Sequence, residues 1–134
     1  MPGKVFFDTN LLIYAIAQND PRGPRAEALL VAGGVVGVQV LNEFVSVARR
    51  KMRMPWKDVI EALDAIRVLC PSPVPVTIST HETALRVVEN YGFEIYDALV
   101  VAAALESGCA ILYSEDLQHG QLIDRKLTIR NPFK

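Results

Sequence analysis

The chain has 134 residues, 51% of them hydrophobic, enough for one sizeable core without disulfide or metal staples, and the expectation is a single domain spanning 1–134. Its 14 basic and 15 acidic residues give a formal net charge of -1, which excludes a protein that coats nucleic acid by bulk charge, so any such contact must be local. Cys70 and Cys109 lack CxxC spacing and a histidine partner, Met1–Phe7 is too short and too weakly charged for a leader, and no apolar run reaches the roughly 18 residues of a membrane span; these features predict a cytoplasmic protein with free thiols.

Val5-Phe6-Phe7 is a short apolar run ending at Asp8, and the pattern from Asn10 through Leu11, Leu12 and Tyr14 suits a strand feeding a helix. Asn19-Asp20-Pro21 and Gly23-Pro24 end that helix, Arg25–Val31 forms a second short one, and Gly33-Gly34 breaks it. Val35–Val38 reads as a buried strand, with Gln39 opening a longer helix whose apolar stripe is Leu41, Phe44, Val45, Ala48 and Met52. Pro55 closes it, and Trp56–Leu69 keeps helical period through Val59, Ile60, Leu63, Ile66 and Leu69.

Pro71, Pro73 and Pro75 forbid further helix and form a connector. Val76-Thr77-Ile78 then reads as a strand, Ser79 and Glu82 as the capping box of a helix through Leu85, Val88 and Tyr91, and Gly92 as its C-terminal cap. The stretch Ile95–Glu106 is apolar nearly all round, Ala110–Tyr113 is a buried strand, Ser114–Gly120 a polar loop and Leu127-Thr128-Ile129 a closing strand. Alternating strands and helices predict an α/β domain, with helices on both faces of a mostly parallel sheet of four or five strands.

In such a sheet a helix begins at the edge where strands end. Asp8 ends the first strand, Glu43 lies in the opening turns of the helix after Val35–Val38, Asp97 in the first turn of the helix before Ala110–Tyr113, and Asp116 three residues after that strand. All four map to one edge. Carboxylates gathered there repel one another unless a cation sits between them, and oxygen-only ligands favour Mg²⁺ or Mn²⁺. No Cys/His cluster of zinc spacing and no glycine-rich phosphate loop competes, and neither His81 nor His119 has a nucleophile beside it.

Each acid also has a plainer reading. Asp8 is a natural N-cap, Asp97 is welcome at the positive end of a helix dipole, Glu43 suits a solvated face, and either Glu115 or Asp116 could be the ligand in their loop. Arg49, Arg50, Lys51 and Arg53 cluster where cations favour a helix C-terminus, a second use being an RNA patch. Trp56, Tyr14 and Tyr96 read as core or rim aromatics more readily than as stacking platforms for bases.

Taken together the motifs resemble the PIN domain, and within it the VapC-type toxin nucleases, nearly end to end. Phe7-Asp8-Thr9-Asn10-Leu11-Leu12 is similar to the family's first motif, Asn42-Glu43-Phe44 to its second, and Tyr96-Asp97-Ala98-Leu99-Val100-Val101-Ala102-Ala103-Ala104 to its third. Tyr113-Ser114-Glu115-Asp116-Leu117-Gln118-His119-Gly120 is similar to a fourth, which selects Asp116. The resemblance implies a three-layer α/β/α sandwich and Mg²⁺- or Mn²⁺-dependent hydrolysis of RNA phosphodiesters, often in structured RNAs such as tRNA. It further implies metal ligation by Asp8, Glu43, Asp97 and Asp116 with support from Thr9, Asn10 and Ser114. A homodimer and a VapB-like antitoxin that blocks the site belong to the same expectation, as does inhibition of translation. Other readings are a PIN nuclease of RNA processing or DNA flaps, a PIN-fold binding module without activity, and a receiver-like domain. The last should place a lysine after the late strand, where this chain has Ser114, Glu115 and Asp116.

Overall fold

Three-residue strands suffice for the centre of this fold because both of their faces are covered. In the computed structural model, which describes residues 4–134, β1 (Val5–Phe7), β2 (Ile111–Tyr113) and β4 (Leu127–Arg130) are parallel neighbours, and the short β3 (Leu122–Ile123) pairs antiparallel with β4 at the edge. Met1, Pro2 and Gly3, part of the stretch read above for a leader, lie outside the described residues. Six helices surround the sheet: α1 (Thr9–Ile16), α2 (Gly23–Val31), α3 (Val38–Arg50), α4 (Trp56–Leu69), α5 (Ile78–Tyr91) and α6 (Ile95–Glu106). The α/β/α architecture and mostly parallel sheet are those expected.

Alternation along β1 explains the layers. Phe6 and Phe7 are both fully buried, on opposite faces. A Cβ on Gly37 would come within 3.2 Å of the Phe6 ring and 3.8 Å of Ala103 of α6, whereas a Cβ on Gly34 would lie 2.5 Å from the Phe7 ring. Gly34 is therefore required for backbone to approach strand side chains on the α2 side. The all-apolar α6 fits its place, with Ala98 and Val100 to Ala104 all buried.

Three local readings are corrected. Val35–Val38 makes only isolated bridges, Phe6 with Val35 and Gly37 with Val74, and α3 starts at Val38 rather than Gln39. Its buried stripe is Val40, Phe44 and Ala48, so Leu41 is turned partly aside, and Met52 lies beyond the helix end. Val76-Thr77-Ile78 is no strand: Thr77 caps α5 in a box with Thr80, whose backbone N–H donates to Thr77 Oγ1 at 3.2 Å while Thr77 N–H donates to Thr80 Oγ1 at 3.1 Å. A β-branched hydroxyl residue suits an N-cap as well as a strand, and after three prolines the cap won. Ser79, expected to cap, instead donates to Glu106 of α6, while Gly92 ends α5 at φ +77° as expected. Cys70 and Cys109 are free and buried. No helix among the described residues is long and apolar enough to cross a membrane.

Candidate active site

Asp8 is the hinge between β1 and α1. Its backbone N–H continues the sheet to the Tyr113 carbonyl at 3.0 Å, and its side chain caps α1 by accepting from the Thr9 N–H at 2.7 Å. The other carboxylate oxygen accepts from Ser114 Oγ at 2.7 Å, and Ser114 Oγ itself accepts from the Asp116 N–H at 3.2 Å. Asn10 completes the frame: its amide donates to Asp116 Oδ2 at 3.1 Å and its carbonyl oxygen accepts from the Glu115 N–H at 3.3 Å. The first strand-to-helix junction and the loop after β2 are thus cross-linked through Asp8, Asn10 and Ser114.

Glu43 and Asp97 arrive from the other side. Gln39, in the first turn of α3, donates to the Tyr96 carbonyl at 3.3 Å, tying the start of α3 to the start of α6. Glu94 caps α6 by accepting from the N–H groups of Tyr96 and Asp97. Sequence reasoning did not single out Glu94, although an acid just before Ile95 is a signal for an N-cap.

Crowding of carboxylates shows in their protonation. The Asp8 carboxyl is pushed up from 3.8 to about 6, chiefly by burial and with a smaller part from Glu43 and Asp116, against the bonds from Ser114 and Thr9. Glu43 is raised by burial, with Asp97 and Asp116 adding and the Thr9 hydroxyl opposing. The Thr9 hydroxyl lies near enough to act on Glu43, but its Oγ1 is buried and makes no hydrogen bond among the described residues. Asp97 is raised by burial and by the charges of Glu94 and Asp116. Asp116 therefore acts on all three of the others.

No three His, Cys, Asp or Glu side chains among the described residues already stand close enough together to cage an ion. The acids are electrostatic neighbours, and two of them, Glu43 and Asp116, line an open cleft. Their donor set, carboxylate and hydroxyl oxygens with an orphaned buried Oγ1, fits a hard divalent cation such as Mg²⁺ or Mn²⁺ and offers zinc nothing it prefers. The cleft, about 230 Å³ between α1 and α3, is lined by Thr9, Asn10, Glu43 and Asp116, with Lys51 at its far end.

Glu115, left open beside Asp116, is drawn elsewhere. It accepts from the Tyr14 hydroxyl and from Arg22, whose Nη1 lies 2.9 and 3.2 Å from its two oxygens. Arg22 also binds Asp20 through Nε and Nη2 and lies 3.6 Å over the Tyr14 ring. This clamp was invisible in the sequence. His119 accepts from the Asn131 N–H at 2.9 Å, and His81 sits on α5, so neither joins the acids.

The fold has well-defined counterparts. VapC20 of Mycobacterium tuberculosis, a toxin that cleaves the sarcin-ricin loop, superposes with a TM-score of 0.68 at 21% identity over 84% of this chain and 90% of that one. A toxin–antitoxin complex from Klebsiella pneumoniae superposes at 0.73 with 16% identity, over 96% and 98%. VapBC2 of Rickettsia felis, bound to a fragment of its promoter DNA, does so at 0.65 with 17% identity, over 95% and 97%. At these identities the likeness speaks for the fold alone. No curated protein matches the sequence. The PIN domain profile matches residues 5–122, and the chain belongs to that family.

Proposed function

We propose that this chain is a VapC-type toxin, an endoribonuclease that hydrolyses RNA phosphodiesters with Mg²⁺ or Mn²⁺ held by Asp8, Glu43, Asp97 and Asp116. One observation carries the reading: Asp116 lies within electrostatic reach of Asp8, Glu43 and Asp97, each raised chiefly by burial, and none of the four has a cationic partner among the described residues. That Asp20 and Glu115 are paired with Arg22 while these four have no cationic partner among the described residues supports a cation as their partner. When bound, the ion would polarise the phosphodiester and lower the pKa of a bound water. Within the chain, Ser114 and the Thr9 N–H fix the Asp8 carboxylate, Asn10 orients Asp116, and the raised Glu43 is suited to accept a proton from the attacking water.

The sarcin-ricin loop cleaved by the mycobacterial toxin supports RNA as the substrate class, tRNA among the structured targets, and cleavage of such RNAs would halt translation. Two structural counterparts are toxin–antitoxin assemblies, which supports a VapB-like antitoxin as partner of a cytoplasmic, homodimeric toxin. A PIN nuclease of RNA processing would share every residue of the site and differ only in having no such inhibitor. Purified, antitoxin-free protein incubated with total cellular RNA should make discrete cuts that need Mg²⁺ or Mn²⁺ and are lost in Asp8→Ala. A folded, metal-replete chain that leaves the RNA intact would remove the enzymatic reading.

A further inference from the structure

Glu43 lines two grooves. One is the acid cleft ending at Lys51; the other, of about 480 Å³, runs past Gln39, Asn42 and Ser46 to Tyr96. The second has no place in the hydrolysis, yet its chemistry is specific. Tyr96 is 66% exposed although it immediately precedes Asp97. The Asn42 amide is exposed and makes no hydrogen bond among the described residues, which leaves both its donor and acceptor faces available. Ser46 Oγ accepts from Arg50 Nη2 at 2.8 Å, holding a guanidinium at the groove, and Arg50 forms no ion pair among the described residues.

An open aromatic ring, a free amide and a held guanidinium are what a single-stranded nucleotide requires: a stacking platform, a group to read a base edge and a cation for phosphate. We infer that the groove between Tyr96 and Asn42 is a nucleobase subsite that receives the base next to the scissile phosphate and sets the base preference of the cut. The inference rests on the ribonuclease reading. Because both grooves meet at Glu43, a strand whose scissile phosphate lies among the acids is carried into the second groove on one side and toward Lys51 on the other.

The test uses Tyr96→Ala, Tyr96→Phe and Asn42→Ala, all at exposed positions where the fold has little at stake. Affinity for a fluorescent mixed-sequence single-stranded RNA is read in an Asp8→Ala background, cut sites are read by 5′-end sequencing in the active background, and Mn²⁺ affinity without RNA is read by calorimetry. Tyr96→Ala should weaken RNA binding by about tenfold, Tyr96→Phe should keep it within about twofold because stacking survives, and Asn42→Ala should broaden the base found at one position beside the cut. Mn²⁺ affinity should be unchanged in all three. Unaltered affinity and cut sites in a cleaving enzyme would overturn the subsite while leaving the nuclease standing. A parallel loss of Mn²⁺ affinity would reduce Tyr96 to a support for Asp97, and a loss confined to binding of an inhibitory protein would make the groove a partner's seat. An unsubstituted chain that neither binds nor cuts RNA would end both readings.

Discussion

Glu115 and Asp116 are adjacent in sequence and belong to opposite electrostatic regimes. Glu115 enters a clamp in which Arg22 is shared with Asp20 and overlain on Tyr14, so every charge has a partner, and the Asp20 carboxyl is held below its ordinary range by the hydrogen bonds from Arg22. One residue on, the Asp116 carboxylate meets only the Asn10 amide among the described residues and helps to raise three other carboxylates. The clamp is finished and the cleft is not. Acids that hold the structure together are satisfied within the chain, and those left in excess are the ones we propose to hold a cation.

The contrast can be broken most sharply at its junction. Asp116→Asn should lower RNA cleavage by roughly a hundredfold or more while leaving the thermal midpoint nearly unchanged, since it removes charge from an exposed position. Cleavage within a few fold of the parent would transfer the site elsewhere.

Asp8 gives the next largest effect, on stability. Its folded carboxyl titrates at about 6 rather than 3.8, so between those values the folded chain holds more protons than the unfolded one, and its stability falls as pH rises through that window. Above it the full penalty, about 3 kcal/mol, is present. In EDTA, Asp8→Asn should therefore gain on the parent in thermal midpoint between about pH 4 and about 6, then hold a constant lead. A pH-independent difference would mean that Asp8 is not desolvated as the cleft implies.

Clamp substitutions should behave oppositely. Tyr14→Phe deletes the donor to Glu115 and should cost about 1 to 2 kcal/mol by denaturant unfolding, with cleavage largely retained. Glu115→Gln, the smallest change, should cost about 1 kcal/mol or less and leave cleavage within a few fold. If Glu115→Gln abolished cleavage with the fold intact, the division between the two neighbours would be wrong.

How much of this could be read beforehand depends on separation along the chain. The edge on which Asp8, Glu43, Asp97 and Asp116 fall follows from the order of strands and helices, because helix starts and strand ends share that edge. Choosing between Glu115 and Asp116 from the residues alone was not feasible, since the groups that capture Glu115 lie 93 and 101 positions away, in Arg22 and Tyr14. Val76–Ile78 was misread because one residue type serves both cap and strand, and the partner hydroxyl of Thr80 decides between them. Val35–Val38 has strand composition, but the segment bridges Phe6 at Val35 and Val74 at Gly37, so neither neighbour extends into a ladder before α3 begins at Val38. The Tyr96 groove depends on the first turns of α3 and α6 meeting through the bond from Gln39 to the Tyr96 carbonyl, which no local pattern encodes.

Glu43 is a ridge between two valleys, and this separates two modes of blocking the enzyme. A partner seated only among Asp8, Asp116 and Lys51 would silence hydrolysis while the Tyr96 side still accepted a strand. Its inhibition would then register as mixed, with RNA held but uncut, whereas a partner spanning the ridge would compete outright.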